Sequence, residues 1–282
     1  MDLQSIAALH PTFDPARGLL LLELDHGKAN EVGGPQLDAF AALCDLLEAD
    51  DAVRCLCTTS RRVSARGTPI FIAGANVTER VGWSDDRVKE HVIRQRGVMH
   101  RLRHLPLFTT VLSHGVTLGW GAEFMLTADF CLATPTARFG LPETGLGILP
   151  GARGTAELAL QVGPAQALRL GCTGEEIDAT EARAIGLVHE LVADLDAGLA
   201  RVRSLASRLA TRSPTAVAAY KRGLLAALGR PAEERLALER AAYEHCVDTG
   251  EAAIGRAAFS AKRAVNAEDA AAEPTPWGPR RL

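Results

Sequence analysis

Apolar and polar positions along the chain follow two periods in turn. Gly18-Leu-Leu-Leu-Leu-Glu-Leu24 is a nearly continuous apolar run that predicts a buried strand, with Asp25-His-Gly27 as its turn. Pro35 then opens a stretch in which Leu37, Phe40, Leu43 and Leu47 recur at helical spacing. A second strand is predicted over 53–59. A basic, polar loop over 60–69 leads into the short strand Ile70-Phe-Ile72 and the small residues Ala73-Gly-Ala75. Farther on, 85–103 predicts a helix, 108–113 a strand, 119–128 a helix and 130–133 a strand. Strand and helix in alternation argue for an α/β core.

After Gly151 the strand signal nearly vanishes, apart from Leu187-Val188 and neighbours. Helices are predicted over 156–161, 164–170, 179–184, 195–210, 214–228 and 233–247, in segments rich in alanine. Residues 270–282 carry Pro274, Pro276 and Pro279 and predict a loose tail. The division expected is a core over 1–192, a C-terminal helical region over 193–265 and a tail over 266–282.

Composition changes this picture little. The 282 residues are 47% hydrophobic, enough for one large core, and the net charge of -3 leaves no basic surplus for a nucleic acid. The six cysteines, at 44, 55, 57, 131, 172 and 246, form no CxxC pair and no cluster with zinc-like spacing. They read as reduced thiols, with Cys55 and Cys57 on one face of a strand, and no metal site is expected. Residues 1–15 lack a basic stretch and an apolar run, and no segment has the apolar length of a bilayer span, so a cytoplasmic protein without membrane contact is expected.

Three segments carry candidate chemistry. Phe71-Ile-Ala-Gly-Ala75-Asn76 ends a strand in small residues, which admit a ligand close to the backbone or serve tight packing. His114-Gly-Val-Thr-Leu-Gly119-Trp120-Gly121-Ala122-Glu123 runs from a glycine-rich turn into a helix. Exposed N–H groups at such a start hold an anion or a developing oxyanion, and Glu123 shares the first turn with Trp120. A plainer role for Glu123 is to complement the helix dipole. In Phe139-Gly-Leu-Pro142-Glu143-Thr-Gly-Leu-Gly-Ile-Leu-Pro-Gly151, apolar residues surround one acid, and desolvation there would raise its pKa for proton delivery. An exposed turn carboxylate is the plainer alternative. Gly145-Leu-Gly147-Ile-Leu-Pro150 falls short of a dinucleotide fingerprint because proline takes the third glycine's place.

Taken in order, these segments resemble the enoyl-CoA hydratase/isomerase, or crotonase, family. Phe71 to Val77 is similar to F-A-A-G-A-D-I. Gly115 to Glu123 is similar to N-G-x-x-x-G-G-G-x-E, with His114 in place of its asparagine. Phe139 to Thr155 is similar to F-x-x-P-E-x-x-x-G-x-x-P-G-x-G-G-T, Ala179 to Val188 to A-x-E-A-x-x-x-G-L-V, and Ala258 to Arg263 to A-F-x-E-K-R. The resemblance spans about Leu19 to Arg263.

It implies an α/β spiral of ββα units with a helical C-terminal trimerisation region, in a homotrimer or a dimer of trimers. It implies that the N–H groups of Ala75 and Trp120 form the oxyanion hole, that Glu123 and Glu143 are the acid/base pair, and that the Gly151 amide lies near the catalytic water. Lys28, Ala29 and Ala73 match the path of the coenzyme A adenine and pantetheine, Asn76 lies beside it, and Lys262 would reach the nucleotide phosphate from a neighbouring subunit. The activity implied is an enoyl-CoA hydratase, with coenzyme A as part of the substrate and no separate cofactor. An isomerase, hydrolase or decarboxylase acting on a CoA ester, or a catalytically silent CoA-binding protein, are the other readings. Three positions depart from the pattern. Trp120 replaces a glycine, Asn76 an aspartate and Arg153 a small residue. The Trp120 indole narrows the acyl pocket, stacks on the acyl chain or turns into packing. Arg153 pairs with Glu143 or a substrate carboxylate, or lies on the surface.

Overall fold

The structure, a computed structural model, describes residues 2–264 and 275–282, with the side chains of 262–264 outside that description. An antiparallel pair, β1 (Pro11–Asp14) and β2 (Leu19–Leu24), leads into α1 (Gly34–Ala49). Paired strands then alternate with helices. β3 (Cys55–Ser60) and β4 (Ile70–Ile72) precede α2 (Asp85–Arg103), and β5 (Phe108–Ser113) and β6 (Val116–Leu118) precede α3 (Trp120–Met125). β7 (Phe130–Ala133) and β8 (Arg138–Gly140) precede α4 (Gly154–Thr173). Next come β9 (Ile177–Asp178), α5 (Ala179–Ile185), β10 (Glu190–Leu191) and the helices α6 (Leu195–Ala210), α7 (Pro214–Ala227), α8 (Ala232–Asp248) and α9 (Glu251–Ala264).

β1 and β2 both join a six-stranded sheet, ordered β1-β2-β3-β5-β7-β10; of each of the next three pairs the first strand joins that sheet and the second a smaller one, ordered β4-β6-β8-β9. The chain therefore steps between two sheets at every repeat and winds into the expected spiral of ββα units. From β2 to β10 the large sheet is parallel, as is the small sheet from β4 to β8. A parallel sheet needs cover on both faces. Leu20, Leu22 and Leu56 face the main core with α1 and α2, whereas Cys55, Cys57 and Leu112 face Leu199, Val202 and Ala206 of α6. Cys55 and Cys57 thus share one face, as their spacing predicts.

Several local expectations are corrected. The 119–128 helix stops at Met125, and the Asp129 N–H bonds the Thr109 carbonyl at 2.9 Å, which commits the chain to β7. By contrast, the two helices expected over 156–161 and 164–170 are found within Gly154–Thr173, parted at Gly163 (φ 77°) just before Pro164, whose missing N–H and ring oppose a continuous helix. The expected loose tail is ordered over 275–282. The Arg280 N–H bonds Asp51 Oδ2 at 2.7 Å, its guanidinium donates to the Leu47 carbonyl at 2.9 Å, and Trp277 Nε1 donates to the Thr211 carbonyl at 3.1 Å. Donors from Trp277 and Arg280 anchor this part, and the rest of the expected tail, 266–274, lies outside the described residues. Among the described residues no helix is long and apolar enough to cross a membrane.

Candidate active site

The second sheet aims its strand ends at a cleft of about 660 Å³. It is lined by Ala73, Gly74 and Ala75 after β4, by Gly119, Trp120 and Glu123 at α3, by Pro142, Glu143, Gly151 and Ala152, and by Arg80 with α2 residues Val88, Val92, Gln95 and Arg96. Glycines make these approaches feasible. A Cβ on Gly121 would stand 2.3 Å from the Ile72 carbonyl oxygen, so only glycine lets α3 start against β4.

Glu123 is 3% exposed. Its Oε1 accepts N–H bonds from Ala152 at 2.8 Å and Gly154 at 2.7 Å, both at the start of α4. A Cβ on Gly154 would lie 2.7 Å from Pro150 Cβ and 2.9 Å from Glu123 Oε1, so this carboxyl lies directly on the backbone. Burial pushes the Glu123 pKa up to about 7; the neighbouring Glu143 adds to the rise, and the two amides oppose it. Glu143 sits on a single 3-10 turn, Pro142–Leu146, and its Oε1 lies 2.9 Å from where a Gly119 Cβ would be. Burial raises its pKa too, and its Oε2 is shut from solvent without a partner. The two acids thus meet in one cleft, each with its pKa raised by burial, a setting suited to proton exchange.

The expected amides are also there. Among the described residues no protein group accepts from the N–H of Ala75, Trp120 or Gly151. Gly74 (φ 129°) and Gly119 (φ 51°) precede the first two and turn the peptides in a way that favours glycine. Trp120 itself turns into packing. It is 2% exposed and stacks on Phe124 at 5.3 Å between ring centroids, with Phe40 at 5.8 Å. Its Nε1 is buried without a partner. Arg153 bonds neither Glu143 nor the cleft. It contacts His100 Nδ1 at 3.0 Å and Glu157 at 2.5 Å, and it holds a left-handed φ of 101° between the two amides that bind Glu123.

Of the residues expected along the coenzyme path, Ala29 and Ala73 adjoin, the Ala73 N–H donating to the Ala29 carbonyl at 3.1 Å. Lys28 is exposed and does not line the cleft. Asn76 spends its Oδ1 on the Thr78 hydroxyl at 2.6 Å, and the side chain of Lys262 lies outside the described residues. Two of the three arginines in the basic loop are paired at home, Arg61 with Glu23 at 2.7 Å and Arg62 with Asp25 at 2.6 Å. Among the described residues no His, Cys, Asp or Glu cluster is suited to a metal ion.

Sequence reasoning misses two further groups. Asn30, fully buried at φ 53°, donates to Ser60 Oγ and to the Phe71 carbonyl, both at 2.9 Å, and so ties β3 to β4 beside Ala29. Arg80, Gln95 and Arg96 line the cleft. Gln95 carries a readable signal, because it interrupts the inward stripe of α2 that runs Val88, Val92, Val98, Met99 and Leu102.

Comparison with known proteins agrees with this geometry. A family model described as "Enoyl-CoA hydratase/isomerase" matches residues 41–270. "Enoyl-CoA hydratase domain-containing protein 2, mitochondrial" of Mus musculus is 35% identical over 230 residues, which cover 80% of this chain and 76% of that protein. "Methylglutaconyl-CoA hydratase, mitochondrial" of Rattus norvegicus is 31% identical over 252 residues, 88% of this chain and 78% of that protein. Among solved structures, the enoyl-CoA hydratase of Bacillus anthracis superposes with a TM-score of 0.78 at 29% identity, covering 87% of this chain and 93% of that one.

Proposed function

We infer a 2-enoyl-CoA hydratase from one premise: the chain belongs to the enoyl-CoA hydratase/isomerase family. The observation that carries the reading is the meeting of two buried carboxyls of raised pKa with the uncommitted N–H groups of Ala75 and Trp120 in one cleft. In this reading the thioester carbonyl lies between the two amides. Water addition at C3 puts negative charge on that oxygen, and one such donor is worth about 3 kcal/mol of barrier.

Glu123, ionised, accepts a proton from the water as its oxygen bonds C3. Glu143, protonated, gives its proton to C2. The water thus contributes a hydroxyl to C3, while Glu143 supplies the hydrogen at C2. The enzyme is reset when the proton left on Glu123 passes to Glu143. The fixed Oε1 of Glu123 suits a stationary base, because its second oxygen stays free for water. The Gly151 N–H, uncommitted beside it, suits the water's own oxygen. Coenzyme A enters as part of the substrate, and protein groups supply every proton.

The test is loss of the conjugated thioester absorbance across a series of 2-enoyl-CoA esters. Glu123→Gln and Glu143→Gln should each lower kcat by about 10²–10⁴-fold. If no ester is hydrated, the hydratase reading fails. Double-bond migration without hydration, dependent on Glu143 alone, would move the protein to the isomerases.

Self-association through the C-terminal helices, as a homotrimer or a dimer of trimers, belongs to the same proposal. The 17-residue helix α8 buries none of its residues, and Tyr220, Leu224, Leu236 and Tyr243 stand exposed along α7 and α8. Uncovered apolar faces of this extent mark interfaces. Light scattering should give a mass of three or six chains, and a monomer at micromolar concentration overturns it.

A further inference from the structure

The cleft wall formed by Arg80 and α2 is chemically unlike the rest. Arg80 Nε and Nη2 are both closed from solvent and have no acceptor in the protein, and Gln95, 4% exposed, leaves its Nε2 in the same condition. Both residues line the cleft. Arg80 makes no ion pair among the described residues. Its neighbour Glu79 is turned away, with Oε2 accepting the Gly34 N–H at 3.0 Å and Oε1 3.4 Å from His91 Nε2. Arg96 adds a second positive charge to this wall, tethered through Nε to the Gly151 carbonyl.

Arginine keeps its charge under burial, and an unpaired buried donor carries a desolvation cost that a ligand can remove. The two idle nitrogens are adjacent. Nε–H and one Nη–H form the side edge of the guanidinium, the fork that matches both oxygens of a carboxylate. The fork is closed in the free protein, so a carboxylate fills it when the guanidinium turns into the cleft that Arg80 lines, whereas a hydrocarbon acyl chain gives it no acceptor.

Resting on the hydratase reading, we propose that Arg80 is a specificity residue and that the substrate is an enoyl-CoA thioester whose acyl chain carries a carboxylate remote from the thioester, received by the Arg80 fork with Gln95 beside it. The carboxylate then supplies the anion that this wall lacks. Arg96 reinforces the preference through its charge while it holds the Gly151 loop.

Binding tests this without turnover. Calorimetry would compare a saturated acyl-CoA with its equal-length counterpart ending in a carboxylate, on the intact protein. The carboxylated thioester should bind about 10- to 100-fold more tightly. Arg80→Met should bring that ratio near one, and Arg80→Lys, which keeps the charge but not the fork, should retain part of it. Equal binding of the two thioesters by the unaltered protein overturns the proposal even if Arg80→Met fails to fold. An equal loss of affinity for free coenzyme A in Arg80→Met overturns it too, since Arg80 would then read the coenzyme. Because saturated thioesters are not hydrated, neither result depends on the hydratase reading, which the absorbance screen decides separately.

Discussion

The two acids of the cleft are held by opposite means. Glu123 projects from a helix whose six residues are all buried, and two amides at the entry to a second helix fix its Oε1. Glu143 rides on a single 3-10 turn, in a loop where Leu146, Ile148 and Leu149 are at least half exposed. One carboxyl is part of the core, and the other is carried over it by a flap of apolar side chains. The difference teaches that two acids whose pKa burial raises can be prepared for different work. The first has one oxygen held by two amides, whereas the second has an oxygen buried without a partner.

The largest test of this contrast is a glycine on each side. Gly154→Ala would press a methyl group onto Glu123 Oε1 and Pro150, whereas an alanine at Gly145, in the Glu143 loop, meets nothing within 4 Å. Overpacking of this kind costs about 1–3 kcal/mol of stability. Displacing the base by even an ångström costs on the order of 10² in kcat. Thermal melts and steady-state rates should show both losses in Gly154→Ala and neither in Gly145→Ala. Equal behaviour of the two variants would remove the distinction between fixed and carried acids.

A smaller effect sharpens it through pH. The Glu123 pKa rises from an ordinary 4.5 to about 7 on folding, so the native state holds its proton more tightly than the unfolded chain. Native stability is therefore unpenalised below about pH 4.5, falls as pH rises between these values, and carries the full penalty above pH 7. That penalty is on the order of 3 kcal/mol. Glu123→Gln keeps an oxygen for the two amides and removes the charge. It should melt above the unaltered protein at pH 8, with the gap closing toward pH 4.5. A gap that does not change with pH would show that burial leaves Glu123 unperturbed.

What the sequence discloses follows from how each feature is encoded. Strands β2, β3, β5 and β7 are legible because burial on both faces writes them as apolar runs. The smaller sheet is harder to read. β6, β8 and β9 are two or three residues long and set among glycines, and they become strands only through their neighbours. The anchored 275–282 segment is missed for the same reason, since distant partners hold it, whereas α9 falls within the helical region expected over 193–265. In the cleft, Glu123, Glu143 and the small residues before Ala75 and Trp120 are legible because their chemistry lies in contiguous motifs. Trp120 needs the structure, because only Phe40 and Phe124 show which way an indole turns. Arg80 and Gln95 need it as well. A surface arginine and an idle fork look alike until the cleft closes around one of them.

Arg280 carries a consequence for the order of folding. Its guanidinium supplies donors to the carbonyls of Leu47, Glu48 and Asp50, at the C-terminal end of α1. That end is an array of acceptors with no partner inside the helix. The residue that completes it stands 233 positions later in the chain. A nascent protein that has already built α1 and both sheets must hold that helix end open to water until the arginine emerges. The closing of α1 is thus a late, long-range event in folding. A chain interrupted before residue 280 presents an uncapped first helix, however complete its active site.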